Sequence, residues 1–142
     1  MKKIGFLSFG HWSPSPQSGT RSAGDTLLQS IDLAVAAEEL GADGAYFRVH
    51  HFARQLASPF PLLAAVGTRT SRIEIGTGVI DMRYENPLYM AEDAGSADLI
   101  GGGRAQHLER GDAAAACGQE RGDAVADEIG RASCRERVCD SV

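Results

Sequence analysis

Cysteine is scarce in this chain and poorly placed for cross-linking. The three thiols, Cys117, Cys134 and Cys139, all lie near the C-terminus, and no two form a Cys-x-x-Cys pair. That argues against a disulfide scaffold and against a structural zinc site, and no metal is expected. Long apolar runs are missing as well. No window approaches the roughly 18 apolar residues of a membrane helix. The opening Met1-Lys2-Lys3-Ile4-Gly5-Phe6-Leu7 has a basic pair and an apolar run, but the run is too short for a secretory leader and ends at Gly10-His11. Neither a membrane nor secretion is expected, and the cytoplasm is the default compartment. Positive charge is also in short supply. Lysine and arginine number 14 against 19 acidic residues, a net charge of −5 with no basic stripe, which argues against a nucleic-acid partner.

What is present is an ordinary globular balance. Hydrophobic residues make up 43% of the 142 and charged residues 23%, enough for one domain with a real core. Strand and helix signals alternate. Strand Lys3–Phe9 is followed by a long loop and by helix Thr26–Leu40, with an apolar stripe at Leu27, Leu28, Ile31, Ala34, Val35 and Leu40. Asp25 is placed to cap its start and Gly41 to end it in a left-handed turn. Strand Ala45–Val49 precedes helix Pro59–Val66, with Ser58 as N-cap and proline at the first helical position. Strand Arg72–Ile80 precedes helix Pro87–Ile100, which Asn86 caps and Gly101-Gly102-Gly103 stops. Three such alternations with short returns argue for parallel strands in βαβ units.

In such a fold, chemistry gathers at the carboxyl ends of the strands. His50-His51 stands at the end of the second strand. One histidine satisfied by a backbone carbonyl and one solvated is the plain alternative to a functional role. Adjacent histidines on an extended backbone point to opposite faces, so they are poor joint ligands for a metal. The third strand ends Gly76-Thr77-Gly78-Val79-Ile80-Asp81. Glycines there suit either a backbone bend or the close approach of a flat ligand. Asp81-Met82-Arg83-Tyr84-Glu85-Asn86-Pro87 then brings polar groups above them. The loop Gly10–Gly24 follows the first strand and hangs over the same end. Loops of that length are either functional or mobile. His11 and Trp12 would shield a ligand in the first case and be incidental in the second.

Taken together, His50-His51-Phe52, Gly76-Thr77-Gly78-Val79 and Asn86-Pro87-Leu88-Tyr89-Met90-Ala91-Glu92-Asp93 resemble the luciferase-like monooxygenases, over Met1 to about Arg104. The resemblance implies an α/β chain forming the first three to four units of an incomplete (β/α)₈ TIM barrel. It implies a flavoprotein oxidoreductase acting on a small organic substrate. Many members use reduced FMN supplied by a separate reductase, a branch uses a deazaflavin, and members are often homodimers. His50 or His51 would be the acid–base group facing the flavin, with the other packing or capping. Gly78, Val79, Asp81 and Arg110 would contact the flavin, with a non-proline cis peptide at Gly78-Val79. Arg83 and Asn86 would contact substrate or hold the loop, the alternatives being a solvated Arg83 and a capping Asn86. Where the family often carries an acidic residue before the paired histidines, this chain has Val49.

Composition shifts after Arg104. Residues 105–127 contain no Ile, Phe, Tyr, Trp or Met, and the run Arg104–Gly111 lacks the alternation of a barrel strand. Three segments are therefore expected: 1–104 as barrel, 105–127 as low-complexity and frameshift-like sequence, and 128–142 as a non-native tail. Glu128–Val138 resembles a translated short-read sequencing adapter, so that tail is set aside as a scar would be.

Overall fold

The computed structural model describes residues 2–80 and 84–107. Within them four strands and three helices alternate: β1 (Gly5–Ser8), α1 (Ala23–Glu39), β2 (Gly44–Phe47), α2 (Pro59–Arg69), β3 (Glu74–Thr77), α3 (Pro87–Ile100) and β4 (Ala105–His107). The strands pair in parallel in the order β1-β2-β3-β4. Sequential order with a helix in every crossover is barrel topology; a doubly wound sheet reverses its order part-way. None of the described helices is long and apolar enough to cross a membrane.

Register sorts the sheet into two faces. The row Phe6, Ala45, Ile75, Ala105 and the row Ser8, Phe47, Thr77 share the helix side, while Leu7, Tyr46 and Gly76 share the other. The core lies between sheet and helices, where Phe47, Leu63, Val66, Ile73 and Ile75 are almost fully buried. Burying each such side chain contributes about 1.5–3 kcal/mol. On the opposite face Tyr46 donates its hydroxyl to Glu74, and Lys3 pairs with the same carboxylate at 2.7 Å. Burial, then the hydrogen bond and charge of Glu74, push the Tyr46 phenol up to about 12.

Several sequence expectations shift. All three expected strands are shorter, because the ladder closes only where neighbours overlap. A fourth, Ala105–His107, forms despite its polar composition, paired with β3 through backbone groups. Helix α1 begins three residues earlier than expected. Ser22 is its cap, and Asp25 sits at N3, closing a capping box by accepting from the Ser22 amide. The apolar stripe expected of α1 is covered only in part: Ala34 is buried and Ile31 packs against the core, but its leucines are not on the buried face. Thr26, Ser30 and Ala34 are buried instead, while Leu28 and Leu40 are 66% and 88% exposed. Small side chains let this helix lie close to its neighbours, and no described element covers the leucines. Helix α2 runs on to Arg69, and Ser58 makes no side-chain cap bond, because Pro61 has removed the N3 donor such a cap serves. Helix α3 spans Pro87–Ile100 as expected, with the Asn86 side chain accepting from Leu88 and Tyr89.

Two polar clasps lock the layers. Glu38, at the end of α1, reaches the α2–β3 turn and accepts from the amides of Ser71, Arg72 and Ile73 at 3.0, 2.7 and 2.7 Å. Burial pulls its carboxyl upward, but these amides and the Ser71 hydroxyl outweigh it and hold the group at about 2. Arg104, just before β4, sends Nε to Gly101 O, Nη1 to Thr70 Oγ1 and Ile73 O, and Nη2 to Gly67 O and Thr70 O, all within 3.1 Å. One guanidinium thereby ties together the ends of α2 and α3 and the entry to β3. The two helices meet closely beside it: a Cβ on Gly67 would stand 2.8 Å from Gly101 Cα.

Candidate active site

The carboxyl ends of β1, β2 and β3 continue as a short pleated rim beyond the ladder. Arg48 N–H donates to Ser8 O at 2.8 Å, Gly78 N–H to Phe47 O at 2.8 Å and Val49 N–H to Val79 O at 3.3 Å. These bonds carry the histidine pair and the glycine-rich turn to the same height. An open cleft of about 450 Å³ lies there, lined by Arg48, Val49, His50, His51, Val79, Ile80 and Tyr84. A second hollow of about 400 Å³, on the inner face of the sheet, is lined by Gly5, Phe6, Leu7, Tyr46, Gly78 and Val79. Gly78 and Val79 thus border the inner hollow, and Val79 also borders the cleft.

The two histidines differ in setting. His50 is exposed, and its amide donates to Leu56 O at 2.9 Å, closing the turn that follows. The His51 side chain is only 16% exposed, and its Nε2 is sealed from solvent without a hydrogen-bond partner. The carboxylate of Glu85 stands 3.5 Å from that nitrogen, itself 17% exposed. The rings of Tyr84 and Phe52 flank the imidazole at 5.2 and 6.2 Å. Phe52 takes a left-handed φ of 59° and is 92% exposed.

Val79 holds a φ of 146°, far from the regions open to a β-branched residue. Such backbone persists only where its surroundings enforce it, and it concentrates at functional sites. The expected cis peptide at Gly78-Val79 is not found: no peptide bond among the described residues is cis. The distortion resides in the Val79 dihedral instead, a cheaper departure than a non-proline cis bond. Nor is the space over Gly78 open. A Cβ there would fall 2.0 Å from Leu7 Cδ1, so the leucine methyl lies against the glycine.

The loop after β1 is pinned to the loop after β2. Gly10, at φ 56°, packs where any Cβ would strike buried Leu56 at 2.3 Å. Trp12 N–H donates to Arg54 O at 3.2 Å, and the Arg54 guanidinium lies 5.5 Å from the Trp12 ring. The Gln55 amide nitrogen is 2.8 Å from His11 Nε2. Trp12 therefore packs on Arg54 and is not among the residues lining the cleft. Asn86 Oδ1 is engaged in capping α3. Asp81, Arg83 and Arg110 lie outside the described residues. The sequence reading did not single out Arg48, Tyr84 or Glu85. Only their positions just past two strand ends signalled them.

Comparison with known proteins places this geometry. The luciferase-like monooxygenase pattern matches residues 7–132. 4-Hydroxyprotoasukamycin monooxygenase of Streptomyces nodosus subsp. asukaensis is 32% identical over 106 residues, covering 73% of this chain and 28% of that protein. The chain thus spans just over a quarter of that relative's length. Among solved structures, monooxygenase RslO1 from Streptomyces bottropensis superposes with a TM-score of 0.66 at 27% identity, covering 94% of this chain and 42% of that one. The oxygenating constituent of 3,6-diketocamphane monooxygenase from Pseudomonas putida, a type II Baeyer-Villiger enzyme solved in complex with FMN, gives 0.63 at 25% identity, covering 74% and 28%. With the family pattern running through residues 7–132 and related monooxygenase structures superposing on its fold, this chain belongs to the luciferase-like monooxygenases.

Proposed function

We propose that the protein is a flavin-dependent monooxygenase using reduced FMN and oxygen on a small organic substrate, with the reduced flavin supplied by a separate reductase. The observation that carries this reading is His51: an imidazole set in the cleft at the strand ends, one ring nitrogen sealed from water and unbonded. The residues present suit a flat tricyclic ring. Gly78 and strained Val79 form a ledge with little side chain, and Leu7, 46% exposed, is free to swing off it. When bound, the reduced flavin supplies the electrons for oxygen activation. Buried Ile80 closes the floor of the cleft to water, and His51 holds or accepts a proton at its ring. His50, Asp81 and Arg110 are proposed to complete the polar surroundings of the ring. Trp12 and Arg83 are proposed for the substrate side, and Asn86 for holding the loop. The FMN bound by the diketocamphane relative favours FMN over a deazaflavin.

The test is oxygen uptake by the full-length protein with reduced FMN and a panel of ketones, aldehydes and sulfonates. His51→Gln should lower turnover by about 10²–10⁴-fold, the range of a lost acid–base group, with FMN affinity within a few-fold of the parent. Absence of FMN-dependent oxygenation across the panel, or an unimpaired variant, overturns the proposal. The 142-residue chain alone is expected to turn nothing over.

A further inference from the structure

We infer that Glu85 is the positioning residue of His51, holding a proton on Nε2 so that Nδ1 is the nitrogen presented to the chemistry; this rests on the role proposed above for His51. A buried imidazole nitrogen with no partner carries an uncompensated desolvation cost. Among the described residues, Glu85 is the acid within ion-pair distance of it, at 3.5 Å. The β2 side offers none, because the residue before the histidine pair is Val49, apolar and buried. The carboxylate comes instead from the β3–α3 connection. Its backbone is held there by the next residue, Asn86, whose side chain caps α3.

The chemistry follows from the donor inventory. A carboxylate only accepts, so the nitrogen facing it must carry the hydrogen. With Nε2 committed as donor, the lone pair of the neutral ring sits on Nδ1. A proton taken up at Nδ1 gives an imidazolium that the adjacent carboxylate stabilises, the logic of any base oriented by a third group. With the two side chains only 16% and 17% exposed, the pair sits largely out of water, which strengthens it. The 3.5 Å separation is longer than a charge-assisted bond of about 2.7–2.9 Å. Contacts of this kind are often loose without ligand and tighten around it.

The test uses the 142-residue chain with ¹⁵N-labelled histidine, read by long-range proton–nitrogen correlation. The neutral His51 ring should carry its proton on Nε2, slowly exchanging with water. Glu85→Ala should speed that exchange by at least about tenfold, whereas Glu85→Gln, which keeps an acceptor, should retain most of the protection. A wild-type ring protonated on Nδ1, or protection untouched in Glu85→Ala, overturns the pairing; the first reading needs no variant to fold. In the full-length protein with FMN, Glu85→Ala should lower kcat by about 10–100-fold at unchanged KM. Failure of the pairing is separable from failure of the His51 role: an unimpaired His51→Gln removes the latter, while an unchanged Nε2 proton beside an inactive His51→Gln removes only the former.

Discussion

Replacing Arg104 with alanine deletes five donors at one point of the fold. The guanidinium bonds Gly101 O at 2.7 Å, Gly67 O at 2.8 Å, Thr70 O and Thr70 Oγ1 at 2.9 Å and Ile73 O at 3.1 Å. Three of these acceptors, Gly67 O, Thr70 O and Gly101 O, belong to helix C-terminal turns, where a cation also meets the negative end of the helix dipole. A hydrogen bond to a charged group contributes about 1.5–3 kcal/mol, so simple addition would exceed the stability of a small domain. The acceptor residues are buried but Arg104 itself is only part-buried, so its removal would let water reach some of them, and a net loss of about 3–5 kcal/mol is expected, the range for breaking a buried charged network. At about 4–8 °C per kcal/mol for a folded region of this size, the midpoint of thermal unfolding should fall by roughly 12 °C or more. Arg104→Lys should recover less than half, because an ammonium cannot span acceptors arranged for a planar fork. Urea unfolding followed by circular dichroism reads both variants. A loss below about 1 kcal/mol for the alanine variant, the scale of an ordinary surface substitution, would refute the claim that this residue ties α2, β3 and α3 together.

Three further outcomes follow from the same geometry. The Glu38 carboxyl is held at about 2, below its ordinary 4.5, so its contribution is complete above the unfolded value and is lost as pH falls from there toward 2; Glu38→Gln should flatten the acid-unfolding curve in that window, and an unchanged slope would remove the clasp. Gly10→Ala must place a Cβ against buried Leu56 at a positive φ, so urea titration should show a loss of about 2–4 kcal/mol from strain and overpacking together, where a loss under 1 would contradict it. Val79→Gly should leave stability unchanged or raise it by about 1 kcal/mol, because relief of the 146° dihedral offsets the entropy glycine adds to the unfolded chain; a clear loss in the same titration would mean that Val79 is not strained.

The features legible from sequence were those written in neighbouring residues. Helix α3 could be bounded because its cap, its proline and its terminating glycines adjoin it in the chain. The strand–helix alternation and the approximate height of His50-His51 and Gly78-Val79 were readable for the same reason. The buried face of α1 was legible at Ala34 and Ile31 but not at the leucines, because an apolar stripe is an averaged signal. Which side of a helix is covered depends on neighbours, and here the covered side carries Thr26, Ser30 and Ala34. The cap of α1 was misassigned by three residues because Ser22 and Asp25 are both good caps, and only the backbone shows which one is extended.

By itself, then, the order of residues determined the local elements and the family: hydrogen bonds, capping and periodicity act over a few positions, and the chain spells them out. The tertiary structure alone decided who meets whom across long separations. Arg104 finds Thr70 34 positions away and Glu38 finds Ile73 35 positions away. Glu85 reaches His51 from a different strand end. Nothing in the local sequence marks those partners, because a charged side chain is indifferent to its neighbours in the chain and answers only to the groups that folding places around it.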